Sequence, residues 1–400
     1  MFHSEFEMPQ TTIESSSKPS STAQVQPAFD FLDLKMQFAG IRDEVMAAVT
    51  RVLESQQFIL GPEVALFERE FAAKFNAEHA VGCASGTDAL ILALMAAGIG
   101  RGDEVITSAF SFIATAGSIA LAGAKPVFVD IDPRTFNIHP QKIEAAITSK
   151  TRAIIPVHLF GLPADLDPIV ALAKKRNLLV IEDAAQAVGS RYNGRFIGTF
   201  GEFGCFSFFP SKNLGGAGEG GLITTGNPEM AERLRMLRVH GSRKKYFHDI
   251  LGTNSRLHAL QAAVLRVKLN HLDAWAAGRE NRAARYRELF EQARLSGFIT
   301  YPAAPGNEFH HVYNQFTIRA ERRDELKEHL GLQGIPSEIY YPLGIHLQSA
   351  FAYLGYREGQ LPESEKASRE VLSLPVFPEL TDAQQDLVVN GIAAFYRVGH

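Results

Sequence analysis

The chain has 400 residues, 46% of them hydrophobic and 21% charged, a composition that supports a large core divided over two domains. A formal net charge of −4 gives no electrostatic case for nucleic acid or an anionic membrane as partner. No apolar run reaches bilayer length and the first residues lack the basic start and apolar centre of a signal peptide, so a cytoplasmic protein is expected.

Residues 1–28 are rich in Ser, Thr, Gln and Pro and read as a disordered tail. A large domain is expected over 29–275 and a smaller carboxyl-terminal one over 276–400. Apolar residues at helical spacing predict a helix over 41–53 and a second over 62–75, with a turn at Ile59-Leu60-Gly61-Pro62 between them. The run Ala80-Val81-Gly82-Cys83 then breaks at Ser85-Gly86-Thr87-Asp88 and resumes as the helical pattern Ala89–Leu94. A helix opening on Ser, Gly and Thr offers unpaired amides and the positive dipole end to a phosphate. Ser85, Thr87 or Asp88 would serve equally as a plain N-cap. Strand-length runs at 104–107, 126–129 and 153–157 alternate with helical segments at 113–122 and 140–147, the pattern of βα units building a mostly parallel sheet. Ligands of such sheets gather at the carboxyl ends of the strands. Phe112, just past one such end, is placed to stack on a flat ring or to pack in the core.

The buried-strand run Leu178–Ile181 delivers Glu182 and Asp183 to its end, and one of the two should face the site. A carboxylate there can hold a heterocyclic nitrogen protonated; Asp183 would also suit a helix cap. As a metal ligand it lacks partners, since His158 is isolated and no clustered His/Cys spacing occurs, so no metal is expected. In Cys205–Gly221, CFSFFPSKNLGGAGEGG, a single lysine stands between an apolar run and a run of glycines. Burial would lower the pKa of Lys212 and free its amine as a Schiff-base nucleophile; a solvated loop lysine is the alternative. Gly216–Gly221 matches a dinucleotide fingerprint in form, but a strand-like run follows where a helix is required, and a P-loop lysine follows its glycines rather than preceding them. Cys83 and Cys205 form no CxxC pair and read as small buried thiols.

A phosphate loop, a carboxylate and a lysine are together the three anchors of pyridoxal 5′-phosphate. The stretches Ser85–Leu90, Ser111–Thr115, Val180–Gln186, Ser207–Lys212 and Asn254–Leu257 with Gln261-Ala262-Ala263 resemble the DegT/DnrJ/EryC1/StrS family of sugar aminotransferases, over nearly everything from Phe31 onward. The resemblance implies an α/β protein of the type I aminotransferase fold, its large domain holding a mostly parallel sheet flanked by helices. It implies Lys212 as the Schiff-base lysine and Asp183 as the pyridinium partner. Gln186 would meet the cofactor's phenolic oxygen and Phe112 would stack on its ring. Gly86, Thr87 and Ser207 would hold the phosphate, with Asn254 reaching it from a neighbouring subunit, so a homodimer with shared active sites is implied. L-glutamate would donate the amine to a nucleotide-linked keto sugar, dTDP- or UDP-linked, at C3, with C4, sugar dehydration or a non-catalytic regulator as alternatives. Lys212 speaks against dehydration, because members that remove a hydroxyl carry His there. Arg256 is implied as a substrate contact. Tyr340 stands where several relatives have the His of a His-Tyr-Pro sugar contact, with Tyr341 beside it; both tyrosines would also suit a domain junction. Lys244 and Lys245, in the basic segment 240–248, are cations a diphosphate would need, or simply a solvated loop.

Helical sequence from Leu257 to about Leu295 is expected to cross into the smaller domain. There a strand over 313–318, a helix over 323–330 and a last helix to Tyr396 follow.

Overall fold

Short apolar runs bounded by turns form seven strands in the computed structural model, which describes residues 26–398. They are β1 (His79–Cys83), β2 (Glu104–Ser108), β3 (Lys125–Val129), β4 (Thr151–Ile155), β5 (Leu179–Asp183), β6 (Phe203–Ser207) and β7 (Gly221–Thr225), in the spatial order β1-β7-β6-β5-β4-β2-β3. Every residue of β2, β6 and β7 is buried, which is why these strands read as continuous apolar runs: helices cover both faces. The pairs from β6 across to β3 are parallel, and β7 alone runs against its neighbours β1 and β6.

The covering helices are α1 (Leu34–Ser55), α2 (Pro62–Lys74), α3 (Gly86–Ala96), α4 (Ala114–Leu121), α5 (Leu166–Arg176), α6 (Pro228–Leu237) and α7 (Ala259–Gln292). Sequence periodicity placed the start of α1 at Ile41; the helix begins seven residues earlier at Leu34, capped by Asp33, which accepts from Met36 N at 2.8 Å. Its first turns carry Leu34, Met36 and Phe38 exposed, so no buried stripe marks them in the sequence. The segment expected as one helix over 140–147 tightens after Ile143 into a 3₁₀ turn at Glu144–Ala146.

The long α7 joins two cores. Ala262, Leu265, Leu269 and Leu272 pack in the first, and Ala283, Tyr286 and Phe290 in a second. That second core lies against a small antiparallel sheet of β8 (Ile299–Thr300), β9 (Phe316–Ala320) and β10 (Val371–Leu374), with α8 (Arg323–Leu332), α9 (Pro362–Glu370) and α10 (Asp382–Val398) beside it. The strand expected from Tyr313 begins at Phe316, because Tyr313 is left-handed (φ 44°) and stacks on His311 at 3.8 Å instead of pairing. Of the expected tail all but residues 26–28 lies outside the described residues; Ala28 donates its N–H to Gly334 O at 2.8 Å, and Phe29 and Leu32 pack on the second core.

One carboxylate ties the end of β3 to the start of α9. Asp130, just past β3, accepts from the amides of Ser364 (2.8 Å) and Glu363 (3.1 Å), from the Ser364 hydroxyl (2.7 Å) and from Lys142 (3.1 Å), and so caps α9. Burial alone would raise its pKa, but the Ser364 hydroxyl, the two amides and Lys142 together hold it below the ordinary carboxylate value. Glu365 is likewise lowered against its burial, by the Gly359 amide, His346 and the Leu361 amide. Depressed folded-state values contribute stability that is present above the unfolded pKa and lost as pH falls through and below about 4. Asp130→Ala is therefore expected to cost about 1–3 kcal/mol at neutral pH, read from the denaturant midpoint. The gap between variant and wild type should shrink as the medium is acidified below pH 4.

Candidate active site

Strand register decides which carboxylate faces the site. Successive residues of β5 point to opposite faces, and Glu182 turns into the protein. There it accepts from the amides of Gly198 (2.7 Å), Phe200 (2.7 Å) and Gly201 (2.9 Å) and meets His158 Nε2 at 3.1 Å. Because His158 Nδ1 accepts from the Ala164 amide at 3.0 Å, its proton sits on Nε2 and is donated to Glu182. The imidazole that sequence left isolated is thus fully engaged. Asp183 points the other way, into a cavity of about 500 Å³ at the carboxyl ends of the parallel strands. Its Oδ2 accepts from the Thr115 hydroxyl at 2.7 Å and its Oδ1 from the Ala185 amide at 3.2 Å. Burial raises its pKa, against the opposing pull of Thr115, Ala185, Lys212 and His158.

Lys212 lines the same cavity. The chain leaves β6 at Ser207 and turns, with Lys212 N bonded to Phe209 O at 2.9 Å, which carries the side chain back over the strand end. Its ammonium makes no hydrogen bond or ion pair among the described residues. Burial brings its pKa down to about 8 from the ordinary 10.5, with Asp183 pulling the other way. A solvated loop lysine would not be desolvated in this way.

Opposite stands the start of α3. Ser85 is the N-cap, accepting from Asp88 N at 3.0 Å and donating to Asp88 Oδ2 at 2.8 Å. The capping role therefore falls to Ser85 and Asp88, while Gly86 and Thr87, in the helix's first turn, line the cavity with amides that have no intrahelical acceptor. A β-carbon on Gly86 would lie 2.6 Å from Ser207 Cβ, and one on Gly221 would lie 2.2 Å from Ser85 O. These two glycines let the helix start, β6 and β7 converge.

Gln186 is held in one orientation. Its Oε1 accepts from Phe160 N at 2.7 Å, so its Nε2 is the atom given to Tyr341 OH at 3.1 Å and left to donate within the cavity. Phe160 presents that N–H from a left-handed backbone (φ 60°). Phe112 is 55% exposed with its ring 6.2 Å from that of Tyr341. Core packing is therefore not its use; it presents an open aromatic face at the cavity wall.

Nine of the residues singled out from sequence converge here: Gly86, Thr87, Phe112, Asp183, Gln186, Ser207, Lys212, Tyr340 and Tyr341. Asn254 and Arg256 do not. They bond to each other at 2.6 Å, with Asn254 bridged to Val239, outside this chain's own cavity. Lys244 and Lys245 stand exposed on a hairpin, lying over Phe247 and Tyr246 at 5.2 and 5.1 Å. Sequence reasoning gave no role to Thr115, Glu219 or Gln315, which also line the cavity. The first was quoted within a motif, yet its contact with a residue 68 positions on leaves no mark in the local pattern.

A model of the DegT/DnrJ/EryC1/StrS aminotransferase family matches residues 40–393. A pleiotropic regulatory protein of Geobacillus stearothermophilus is 55% identical, over 92% of this chain and 98% of its own. UDP-N-acetyl-3-dehydro-alpha-D-glucosamine 3-aminotransferase of Acidithiobacillus ferrooxidans is 49% identical, over 89% and 95%. Among solved structures, Streptomyces venezuelae DesV in complex with a ketimine intermediate superposes with a TM-score of 0.89 at 47% identity, covering 92% of this chain and 99% of that one.

The family's cofactor is pyridoxal 5′-phosphate, and the cavity fits it on its own terms. An unpaired amine with a depressed pKa suits the aldehyde, and a buried carboxylate whose ionisation is penalised in isolation suits a ring cation. The cradle that a Cβ at position 86 would close suits the phosphate. Gly86→Ala is accordingly expected to weaken cofactor binding by about 1–3 kcal/mol through crowding against Ser207, measured by fluorescence titration of the apoprotein. Fold, cavity chemistry and a match spanning most of the sequence agree, and the chain belongs to the DegT/DnrJ/EryC1/StrS aminotransferase family.

Proposed function

We propose that this aminotransferase moves an amino group from L-glutamate to the ketone carbon of a nucleotide-linked keto sugar, dTDP- or UDP-linked, with the amine placed at C3. The observation that carries the reading is the shared cavity of an unpaired Lys212 and a buried Asp183. The position rests on the activity of the Acidithiobacillus relative, a 3-aminotransferase of a UDP-linked sugar.

The cofactor, when bound, supplies an aldehyde that takes up the amino group and a ring that stores the electron pair released at the donor's Cα. In this reading Lys212 would hold the aldehyde and, once displaced, its neutral amine would take the donor's Cα proton and deliver it to the cofactor carbon. Asp183 keeps a proton on the ring nitrogen. Gly86, Thr87 and Ser207 grip the phosphate, Phe112 covers one ring face, and Gln186 Nε2 donates to the phenolic oxygen. The donor leaves as its 2-oxo acid and the sugar's carbonyl oxygen as water. Tyr340 and Tyr341 border the sugar end.

Among the described residues lining the cavity Lys212 is the only cation, whereas a phosphate and a nucleotide diphosphate both need countercharge. This supports a homodimer in which Asn254 and Arg256 complete the cavity of a second copy, and the exposed hairpin cations lie close enough in sequence to join them. Mixing inactive Lys212→Ala with inactive Arg256→Ala should then restore activity, because one of the two shared sites in the mixed dimer is intact; no recovery would count against sharing. The domain reading, a cofactor-binding unit over 29–275 and a smaller unit over 276–400, belongs to the same proposal, as does a cytoplasmic location. No described helix is long and apolar enough to cross a membrane.

The test is a product assay: glutamate with dTDP- and UDP-linked 3-keto and 4-keto sugars, the product's amine located by NMR. Amination at C4 or a dehydrated product would replace the reading. A regulator without turnover is the second reading, favoured by the name of the Geobacillus relative; glutamate-driven loss of the cofactor's aldehyde absorbance separates it from an enzyme.

A further inference from the structure

We propose that Thr115 is the positioning residue of the Asp183 carboxylate: its hydroxyl fixes Oδ2 and keeps the acid ionised against the ring nitrogen, leaving Oδ1 on the Ala185 amide. The inference rests on the reading of Asp183 given above.

The geometry is specific. Thr115 is 1% exposed and sits in the first turn of α4, which follows β2. Its hydroxyl lies 2.7 Å from Asp183 Oδ2. Ser111 Oγ, at 3.4 Å, and Phe112 O, also at 3.4 Å, are the other groups within reach of the Thr115 hydroxyl, and both are more distant. The proton is thus directed at the carboxylate. Among the described residues, this hydroxyl and the Ala185 amide are the two donors to the Asp183 carboxylate.

The other titratable groups that bear on Asp183 cannot replace it. Lys212 is committed to the aldehyde, and the His158 proton is given to Glu182. Cys205 and Tyr341 are both pushed up by burial and stay neutral. A buried carboxylate with one amide donor would sooner take the ring proton than leave it on nitrogen. The added hydroxyl shifts that balance, because a hydrogen bond to a charged group favours the charged form. In this reading Thr115 acts through Asp183.

The test uses holoenzyme loaded with ring-¹⁵N-labelled pyridoxal phosphate. In Thr115→Val the ring nitrogen's resonance is expected to move toward the neutral ring, the ratio of cationic to neutral form falling about tenfold, and cofactor affinity to fall by about as much. Thr115→Ser, which keeps the hydroxyl, should restore both to near wild type, and Thr115→Ala substitutes for the valine variant should that one not fold. An unmoved resonance in the variants lacking the hydroxyl, or a serine variant that behaves like them, overturns the proposal. Asp183→Asn is the control: should it move the resonance while the threonine variants do not, Thr115 alone loses its role. Should it leave the resonance in place, the reading of Asp183 itself fails.

Discussion

Replacing Lys212 by alanine is expected to remove at least about four orders of magnitude from the turnover number, since proton transfer by a positioned base alone contributes about 10²–10⁴ and this side chain is proposed also to hold the cofactor. Its suitability comes from position. The turn after β6 returns the side chain over the buried strand end, and desolvation brings the amine to a pKa of about 8, so near pH 8 half of it is neutral before any cofactor is present. Lys212→Arg separates charge from chemistry, because a guanidinium restores the cation but cannot act as a neutral nucleophile; it should be as inactive as alanine. Borohydride reduction followed by mass spectrometry gives a reading independent of turnover. Wild type should carry a cofactor-derived mass on the peptide containing Lys212, and the alanine variant none. An adduct on another lysine would move the Schiff base elsewhere.

The parts of this molecule that sequence made legible are those whose cause is local. The Ser85-Gly86-Thr87-Asp88 corner was readable because a cap, a small residue and the helix that follows are neighbours in the chain. The alternation of β2 to β5 with helices was readable because strands buried on both faces have a continuous apolar signature. Position 183 was readable as the end of such a strand, though only the pairing of β5 with its neighbours settles that it, and not Glu182, faces the cavity. What stayed hidden has causes distant in sequence. Thr115 meets Asp183 only after β2, β4 and β5 have been laid side by side. The orientation of Gln186 is set by a backbone amide at Phe160 held at positive φ, and Asn254 and Arg256, bonded to each other, lie outside this chain's own cavity. Tyr313 misled for the opposite reason: its apolar neighbours read as strand, while a left-handed backbone and a stacked histidine hold it out of the sheet.

Asp183→Asn is the second large effect, and its sign differs between the empty and the loaded protein. Without cofactor, burial raises the folded-state pKa of Asp183. A raised carboxylate contributes stability below its unfolded value of about 3.9 and loses it as pH rises through the folded value. At neutral pH the burial of this acid is therefore a cost to the apoprotein, and the neutral amide, which keeps an oxygen for the Ala185 amide, removes that cost. The apo variant is expected to melt no lower than wild type at pH 7. With cofactor bound the order reverses: in wild type a ring cation meets the carboxylate and both charges are compensated, whereas in the variant the ring must give up its proton or lie as an unpaired buried charge, at about 3–5 kcal/mol. The gain in melting temperature on adding cofactor should thus be smaller in Asp183→Asn, and turnover lower by about 10²–10³, the usual cost of removing one preorganised electrostatic partner. Calorimetry of the four samples, each protein with and without cofactor, checks the reversal. An apo variant less stable than wild type would make Asp183 an architectural carboxylate like Glu182, while equal gains on loading would mean that the ring nitrogen meets some other group.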